Sequence, residues 1–351
     1  MTYLPKPRLH HPDLPTNALG LTRRDYEGSV STLCAGCGHD SISAAIVHAC
    51  FELGLPPHRI AKLSGIGCSS KTPTYFLGAA HGFNSVHGRM PSVVTGANLA
   101  NRDLIYLGVS GDGDSASIGL GQFAHAMRRG LNMTYIVENN GVYGLTKGQF
   151  SATADKGAKN KRGVANMDEP IDMVGMALQL GATFVARSFS GDKAQLVPLI
   201  KAALTHKGAA FIDCISPCVT FNNHVGSTKS FDYVREHNAA VNFLDVITGR
   251  NEITLEMPPG TVEIVQQHDG SLLKLRKVGE EYDPTDRGAA LAYLHRHQSE
   301  GEIVTGLLYV DPQSEDLHAY LGTATKPLNA MGEGELCPGS AALARLNASL
   351  R

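Results

Sequence analysis

The chain has 351 residues, 42% of them apolar and 18% charged, a globular composition long enough for one large core or two smaller ones, which excludes disordered and fibrous classes. Lys plus Arg (31) nearly balances Asp plus Glu (33), so no strong field points to nucleic acid or to a charged membrane surface. No apolar run approaches the roughly 18–20 residues of a spanning helix, and the N-terminus lacks the apolar stretch of a signal peptide, so a cytoplasmic protein without membrane contact is expected.

Residues 1–30 are rich in proline and polar side chains and read as an extended arm. A helical stretch, Ser43 to Leu53, precedes an apolar run, Ile60 to Ile66, that ends in a turn at Gly67. The next strand is Leu104 to Val109, followed by the turn Ser110 to Ser115 and a helix from near Ala116 through Arg129. Met133 to Val137 is another strand, and residues 144–168 lack periodicity and read as a long loop over a site. Helix Ile171 to Leu180, strand Thr183 to Arg187, helix Lys193 to Thr205 and strand Ala210 to Ile215 continue the alternation. That alternation predicts an α/β fold with a doubly wound, mostly parallel sheet, whose ligands bind beyond the carboxyl ends of the strands. Beyond residue 240 the pattern weakens. The expected organisation is an arm (1–30), a binding domain (31–240) and a C-terminal extension (241–351) that enlarges the domain or meets a partner.

Strand Leu104–Val109 runs into Gly111-Asp112-Gly113-Asp114, and 25 residues lie between Gly113 and Asn139, where the next strand closes in Asn139-Asn140-Gly141. Two successive strand ends thus present polar groups. A magnesium-bound diphosphate needs hard oxygen ligands, which a carboxylate, an amide carbonyl and a backbone carbonyl supply; Asp112, Asn140 and Val142 have those groups. Glycines 111 and 113 let backbone N–H groups approach phosphate oxygens, and the helix near Ala116 adds its positive end. Each motif alone is an ordinary turn; paired on consecutive strands they resemble the thiamine-diphosphate motif. Asn139 is the less favoured ligand.

Seven cysteines are spread unevenly, which fits reduced thiols or metal ligands better than disulfides. Cys34-Ala35-Gly36-Cys37 precedes a helix, Cys68 sits in the turn after Ile66, and Cys218 follows Pro217 beyond strand Ala210–Ile215. Four thiolates suit either zinc or a cubane iron–sulfur cluster, and spacing does not separate the two. Cys214 lies inside a strand and Cys50 in an apolar helix, where each packs as a small apolar side chain; Cys337 is unassigned.

Taken in order, Cys34-Ala35-Gly36-Cys37-Gly38-His39, Gly65-Ile66-Gly67-Cys68-Ser69-Ser70, His87-Gly88-Arg89, Gly111-Asp112-Gly113-Asp114 and Ser216-Pro217-Cys218 resemble the β subunits of 2-oxoacid:ferredoxin oxidoreductases, over roughly residues 20–240. The resemblance implies thiamine diphosphate with Mg²⁺, held by Asp112, Asn140 and the Val142 carbonyl. It also implies a [4Fe–4S] cluster on Cys34, Cys37, Cys68 and Cys218. Cofactor contacts are expected from Gly67, Ser69, His87, Gly111, Gly113, Asp114, Asn140, Gly144, Leu145 and Thr146. No dense cysteine runs mark a second cluster.

In such enzymes the cofactor is the electron sink for decarboxylating a 2-oxoacid, the acyl group passes to coenzyme A, and ferredoxin takes the electrons; the reverse direction fixes CO₂. Lys71 and Lys147 stand on loops expected to rim the thiazolium ring. A dicarboxylate such as 2-oxoglutarate brings a second carboxylate that needs a cation, and pyruvate-specific relatives look to have glycine where Lys147 stands, so 2-oxoglutarate is the favoured substrate and Lys147 its reader. His39 and His87 are candidates for orienting the cofactor or handling protons; Arg89 is similarly placed. The resemblance further implies a partner α subunit that supplies the pyrimidine-side glutamate, in an (αβ)2 assembly. Pyruvate or broad 2-oxoacid specificity, a non-redox thiamine carboligase with structural zinc, and a non-catalytic electron-transfer subunit are the competing readings.

Overall fold

A computed structural model describes residues 13–160, 162–247, 262–266, 270, 272–277, 282–337 and 339–350; the first part of the expected arm, residues 1–12, lies outside them. In chain order the strands are β1 (Ile60–Ser64), β2 (His81–Asn84), β3 (Ile105–Gly111), β4 (Met133–Asn139), β5 (Val142–Tyr143), β6 (Gln149–Phe150), β7 (Phe184–Phe189), β8 (Ala209–Ile215), β9 (Asn238–Ala240), β10 (Asn242–Ile247), β11 (Val262–Gln266), β12 (Leu272–Lys277) and β13 (Ile303–Val310). The helices that cover the main sheet are α1 (Gly38–Glu52), α2 (Met90–Ala100), α3 (Leu120–Arg128), α4 (Met173–Gln179) and α5 (Lys193–Thr205), and Arg287–Ser299 joins them from the C-terminal third.

Eight strands form the main sheet in the order β2-β1-β3-β4-β8-β7-β13-β9, and all of its pairings are parallel except that of β13 with β7. Side chains alternate between two cores with the period of two that a sheet covered on both faces demands. Ile60, Leu107, Val109, Ile136 and Ile212 face the α1 and α5 side. Ala61, Tyr106, Tyr135, Val137 and Phe211 face the side of α2, α3 and α4. The three rings of Phe123, Tyr135 and Phe211 meet edge to face there, with centroids 5.0 to 6.1 Å apart. The doubly wound parallel sheet expected from the alternation is present.

The structure departs from the sequence reading in several places. β2 and α2 fill the stretch between Gly67 and Leu104, where no element is expected. The turn after β3 continues into one wide π-helical turn, Gly113–Ile118, and the α-helix starts only at Leu120. Gly119 closes that turn directly against Gly88, where a Cβ would stand 2.6 Å from the Gly119 nitrogen. The long loop of 144–168 is braced at its start by the short hairpin of β5 and β6. The weak pattern beyond 240 hides an eight-residue strand, β13, that joins the main sheet; a separate three-stranded antiparallel sheet, β10-β12-β11, precedes it.

Arg187 on β7 faces Asp213 on β8 in register. Its Nε donates to Asp213 at 3.0 Å and an Nη donates to Asp172 at 2.7 Å, while Asp172 also caps the start of α4. Asp213 in turn accepts from the Asn139 side-chain amide at 3.0 Å, which ties this ion network to the strand end that carries the site. Removing one partner of a buried pair leaves an uncompensated charge and costs about 3–5 kcal/mol. Arg187→Met should therefore lower the urea unfolding free energy by about that amount, whereas Arg128→Met, on an exposed surface, should leave it within about 0.5 kcal/mol.

Candidate active site and cofactor cleft

The parallel registers bring the sequence motifs together. Ser64 lies beside Val109, Gly111 beside Glu138, and Asn139 beside Ile215, so the turns after β1, β3, β4 and β8 leave the sheet at one end. The chain passes from β1 outward to β2 and then back across to β3, which makes the space above β1 and β3 the point where strand order reverses, the place where such sheets bind ligands. A cleft of about 500 Å³ opens there.

Of the residues expected in contact with cofactor, Gly67, Ser69, His87, Gly111, Asp112, Gly113, Asp114, Asn140, Val142, Gly144, Leu145 and Thr146 all line this cleft, together with His39 and Cys68. Lys71 and Lys147 are not among its walls. The Lys71 ammonium lies 3.4 Å from the Thr32 carbonyl, and Lys147 is exposed on the turn at the cleft rim.

Asp112 is buried and is the hub of the site. Its Oδ2 accepts from the Thr153 hydroxyl at 2.6 Å, from the Gly141 N–H at 3.1 Å and from the Ser151 hydroxyl; Oδ1 has only the long 3.4 Å contact with the Asn140 N–H. Burial raises its pKa, against the hydrogen bonds from Ser151 and Thr153. A buried carboxylate with one oxygen left almost free is what a cation would satisfy. Asn140 is held beside it: its backbone carbonyl accepts from Asn222 at 2.8 Å, and its Oδ1 accepts from the Val142 N–H at 3.1 Å. Asn139 points away, toward Asp213 and Thr153, so Asn140 is the amide available to a metal. The donor set of carboxylate, amide oxygen and backbone carbonyl therefore fits Mg²⁺.

Asp114 lines the cleft and also fastens it. Its Oδ1 accepts from the Gly88 N–H at 2.8 Å and the Ile66 N–H at 3.3 Å, and its Oδ2 from the Ser110 hydroxyl at 2.7 Å. The carboxylate is spent on fastening three turns of the cleft to one another. Gly113 likewise serves packing as much as ligand approach, since a Cβ there would stand 2.5 Å from the Tyr143 ring, whose hydroxyl donates to the Gly113 carbonyl at 3.0 Å.

The four expected cluster cysteines also converge. All are free thiols, with Cys37, Cys68 and Cys218 half-buried and Cys34 exposed. Burial pushes the Cys37 thiol up to about 12, and Cys218 adds to that rise; burial likewise raises Cys68, with Cys218 and Cys34 as neighbouring contributors. A Cβ on Gly144 would stand 3.6 Å from the sulfurs of both Cys68 and Cys218, so the thiols adjoin the very turn that lines the cleft. Cys214 and Cys50 are buried within the sheet and helix cores, as their positions in the sequence imply.

His39 is buried, and its Nδ1 stands 2.6 Å from the Ser216 hydroxyl and 3.6 Å from Glu138. Burial lowers its pKa to about 4, which makes it a neutral imidazole on the cleft wall. Glu138, Tyr143, Ser151 and Thr153 are the residues that sequence reasoning missed. Glu138 alone left a signal, an acidic residue inside an otherwise apolar strand; Ser151 and Thr153 reach Asp112 only because the loop folds back.

Residues 65–214 match the protein family described as thiamine pyrophosphate enzyme, C-terminal TPP binding domain, so the fold and the cleft define a thiamine-diphosphate-binding domain. The chain is 41% identical to the 2-oxoglutarate oxidoreductase subunit KorB of Mycobacterium tuberculosis over 62% of this chain and 56% of that one. It is 44% identical to a 2-oxoacid:ferredoxin oxidoreductase β subunit of Saccharolobus solfataricus over 54% and 63%, so it spans only about six-tenths of these relatives. With the 2-oxoglutarate synthase subunit KorB of Methanocaldococcus jannaschii it shares 37% identity over 58% of this chain and 75% of the relative. Its structure superposes on a chain of the Magnetococcus marinus 2-oxoglutarate:ferredoxin oxidoreductase, solved with 2-oxoglutarate, coenzyme A and succinyl-CoA, with a TM-score of 0.71, 30% identity and coverage of 92% and 96%. The chain belongs to the β subunits of the 2-oxoacid:ferredoxin oxidoreductases.

Groups that orient a metal ligand cost about 10- to 100-fold in affinity when removed. Thr153→Val should weaken Mg²⁺-dependent thiamine diphosphate binding by about that factor in calorimetric titration. Asp112→Ala should abolish the magnesium dependence altogether.

Proposed function

We propose that the chain is the catalytic β subunit of a cytoplasmic 2-oxoglutarate:ferredoxin oxidoreductase, forming succinyl-CoA and CO₂ with reduction of ferredoxin, and reversible as CO₂ fixation. The observation that carries this reading is the adjacency of the two constellations: Gly144 lines the cleft of Asp112 and also lies against the sulfurs of Cys68 and Cys218. When bound, thiamine diphosphate supplies the electron sink for decarboxylation, and an iron–sulfur cluster supplies a one-electron acceptor beside it. In this chain Asp112, Asn140 and the Val142 carbonyl hold Mg²⁺, and Cys34, Cys37, Cys68 and Cys218 hold a [4Fe–4S] cluster.

Four cysteine thiols beside a thiamine cleft suit an electron-accepting cluster better than a structural zinc, in line with the oxidoreductase subunits the chain is similar to. Free thiols throughout accord with a reducing compartment.

Lys147 supports the dicarboxylate. Its φ is 80°, in the left-handed region where glycine costs nothing and a side chain costs about 1–2 kcal/mol. A lysine kept at such a position at the cleft rim has a task that offsets the strain, and recognition of a distal carboxylate is that task. His39 and His87 face the cleft as groups that orient the cofactor or handle protons. An α subunit supplies the pyrimidine-side glutamate in an (αβ)2 assembly, so the β chain purified alone should not oxidise 2-oxoacids.

The test is anaerobic purification with the α subunit, iron and sulfide analysis, and rapid-mixing EPR after adding 2-oxoglutarate. A thiamine-centred radical with a reduced-cluster signal is expected, and Cys218→Ser should lose iron while Cys214→Ser keeps it. Zinc without iron, with no radical from any 2-oxoacid, would overturn the oxidoreductase reading in favour of a carboligase. A charge-assisted hydrogen bond contributes about 1.5–3 kcal/mol, so Lys147→Ala should lower kcat/KM for 2-oxoglutarate roughly 10- to 100-fold. With pyruvate, which has no distal carboxylate, the loss should be far smaller.

A further inference from the structure

A second, open depression lies beside β2, with a lining distinct from that of the cofactor cleft. Its wall includes Lys62, Ser29, Ser64, Ser70, Thr74 and Asn84, and none of its lining residues is acidic. Lys62 stands on β1 opposite Gly82 of β2, and its stem passes over that glycine, with Cε 3.8 Å from where a Cβ would be. The lysine is only 8% exposed. Its ammonium donates to the carbonyls of Phe76 at 2.7 Å and Leu77 at 2.9 Å. An ammonium has three donors; this one also lies 5.6 Å from the Phe76 ring centroid, and among the described residues no oxygen accepts its third N–H.

The environment supplies no counter-charge. Burial alone pushes Lys62 down to about 8, with no neighbouring charge acting on it, so at neutral pH it remains mostly a cation. Buried charges are ordinarily paired. The Ser70 hydroxyl, on the same wall, is buried and has no hydrogen-bond partner. The depression also sits at the end of the sheet: β2 is the terminal strand, all four of its residues are exposed, and the apolar Phe83 and Val86 beside it are 44% and 69% exposed.

We propose that this depression is a second anion site, in which Lys62 and the Ser70 hydroxyl receive a carboxylate group. One positive charge with two donors matches the single charge and two oxygens of a carboxylate, whereas a phosphate dianion calls for more of both. The carboxylate comes either from a small free acid or from an acidic side chain of the α subunit, the latter resting on the functional reading above.

Calorimetric titration of succinate into the αβ complex and into the full-length β chain, with wild type, Lys62→Met and Ser70→Ala, tests the site, alongside subunit affinity for each variant. If the complex binds succinate in a manner lost in Lys62→Met, the occupant is a free acid. If only the β chain binds it and Lys62→Met weakens subunit association about tenfold or more, the occupant is an α-subunit carboxylate. Ser70→Ala, which leaves both carbonyl bonds of Lys62 in place, should move the same measurement about 2- to 10-fold, the size of a neutral hydrogen bond. An effect of Lys62→Met without one of Ser70→Ala would make Lys62 a strut of the Phe76–Leu77 turn and overturn the proposal, as would no effect of either. Thiamine diphosphate binding by the wild-type complex, measured in parallel, reports on the functional reading separately.

Discussion

The shared register of β1, β3, β4 and β8 is the constraint on which the site depends. Parallel strands in register end together, and here the four ends deliver a cysteine turn, a Gly-Asp-Gly turn, an Asn-Asn-Gly turn and a second cysteine turn to one rim. A slip of one residue in any of these pairings would turn its side chains from one core to the other. The alternation of Ile136 with Tyr135 and Val137 between the two cores prevents that slip, and so fixes the distance between the Asp112 and Asn140 turns and the thiols. The apolar packing that stabilises the sheet is thus also what aligns the chemistry.

Much of this was legible in the sequence because it is local. The strand and helix periods, the glycine turns and the polar residues just beyond each strand all lie within a few residues of one another, and parallel α/β topology places such turns at one end without further information. Asp114 shows what a local pattern hides. That its carboxylate also fastens the turns at Gly88 and Ile66, distant in the chain, follows only from the fold. Thr153 and Ser151 were invisible for the same reason, and β13 was missed because its partner strand lies more than a hundred residues earlier.

The loop from Val142 to Thr153 joins the two halves of the site. Its first residues line the cleft, a Cβ on Gly144 would stand 3.6 Å from the sulfurs of Cys68 and Cys218, Lys147 stands at the rim, and the Thr153 hydroxyl donates to Asp112. One segment therefore lines the cleft, adjoins the thiols and holds the Asp112 carboxylate. A hairpin and the Asn222 bond to the Asn140 carbonyl brace this segment at both halves of the site.

The antiparallel return of β13 bears on how the protein is made. Until residue 310 has left the ribosome, β7 has a bare edge, and an unpaired edge in a growing sheet is a template for mispairing between nascent chains. The sheet cannot close vectorially from its N-terminal end. Cys34, Cys37, Cys68 and Cys218 and the Gly-Asp-Gly and Asn-Asn-Gly turns all precede β13 in the chain, so the edge of β7, beside the ion network of Arg187, stays bare after they have been made.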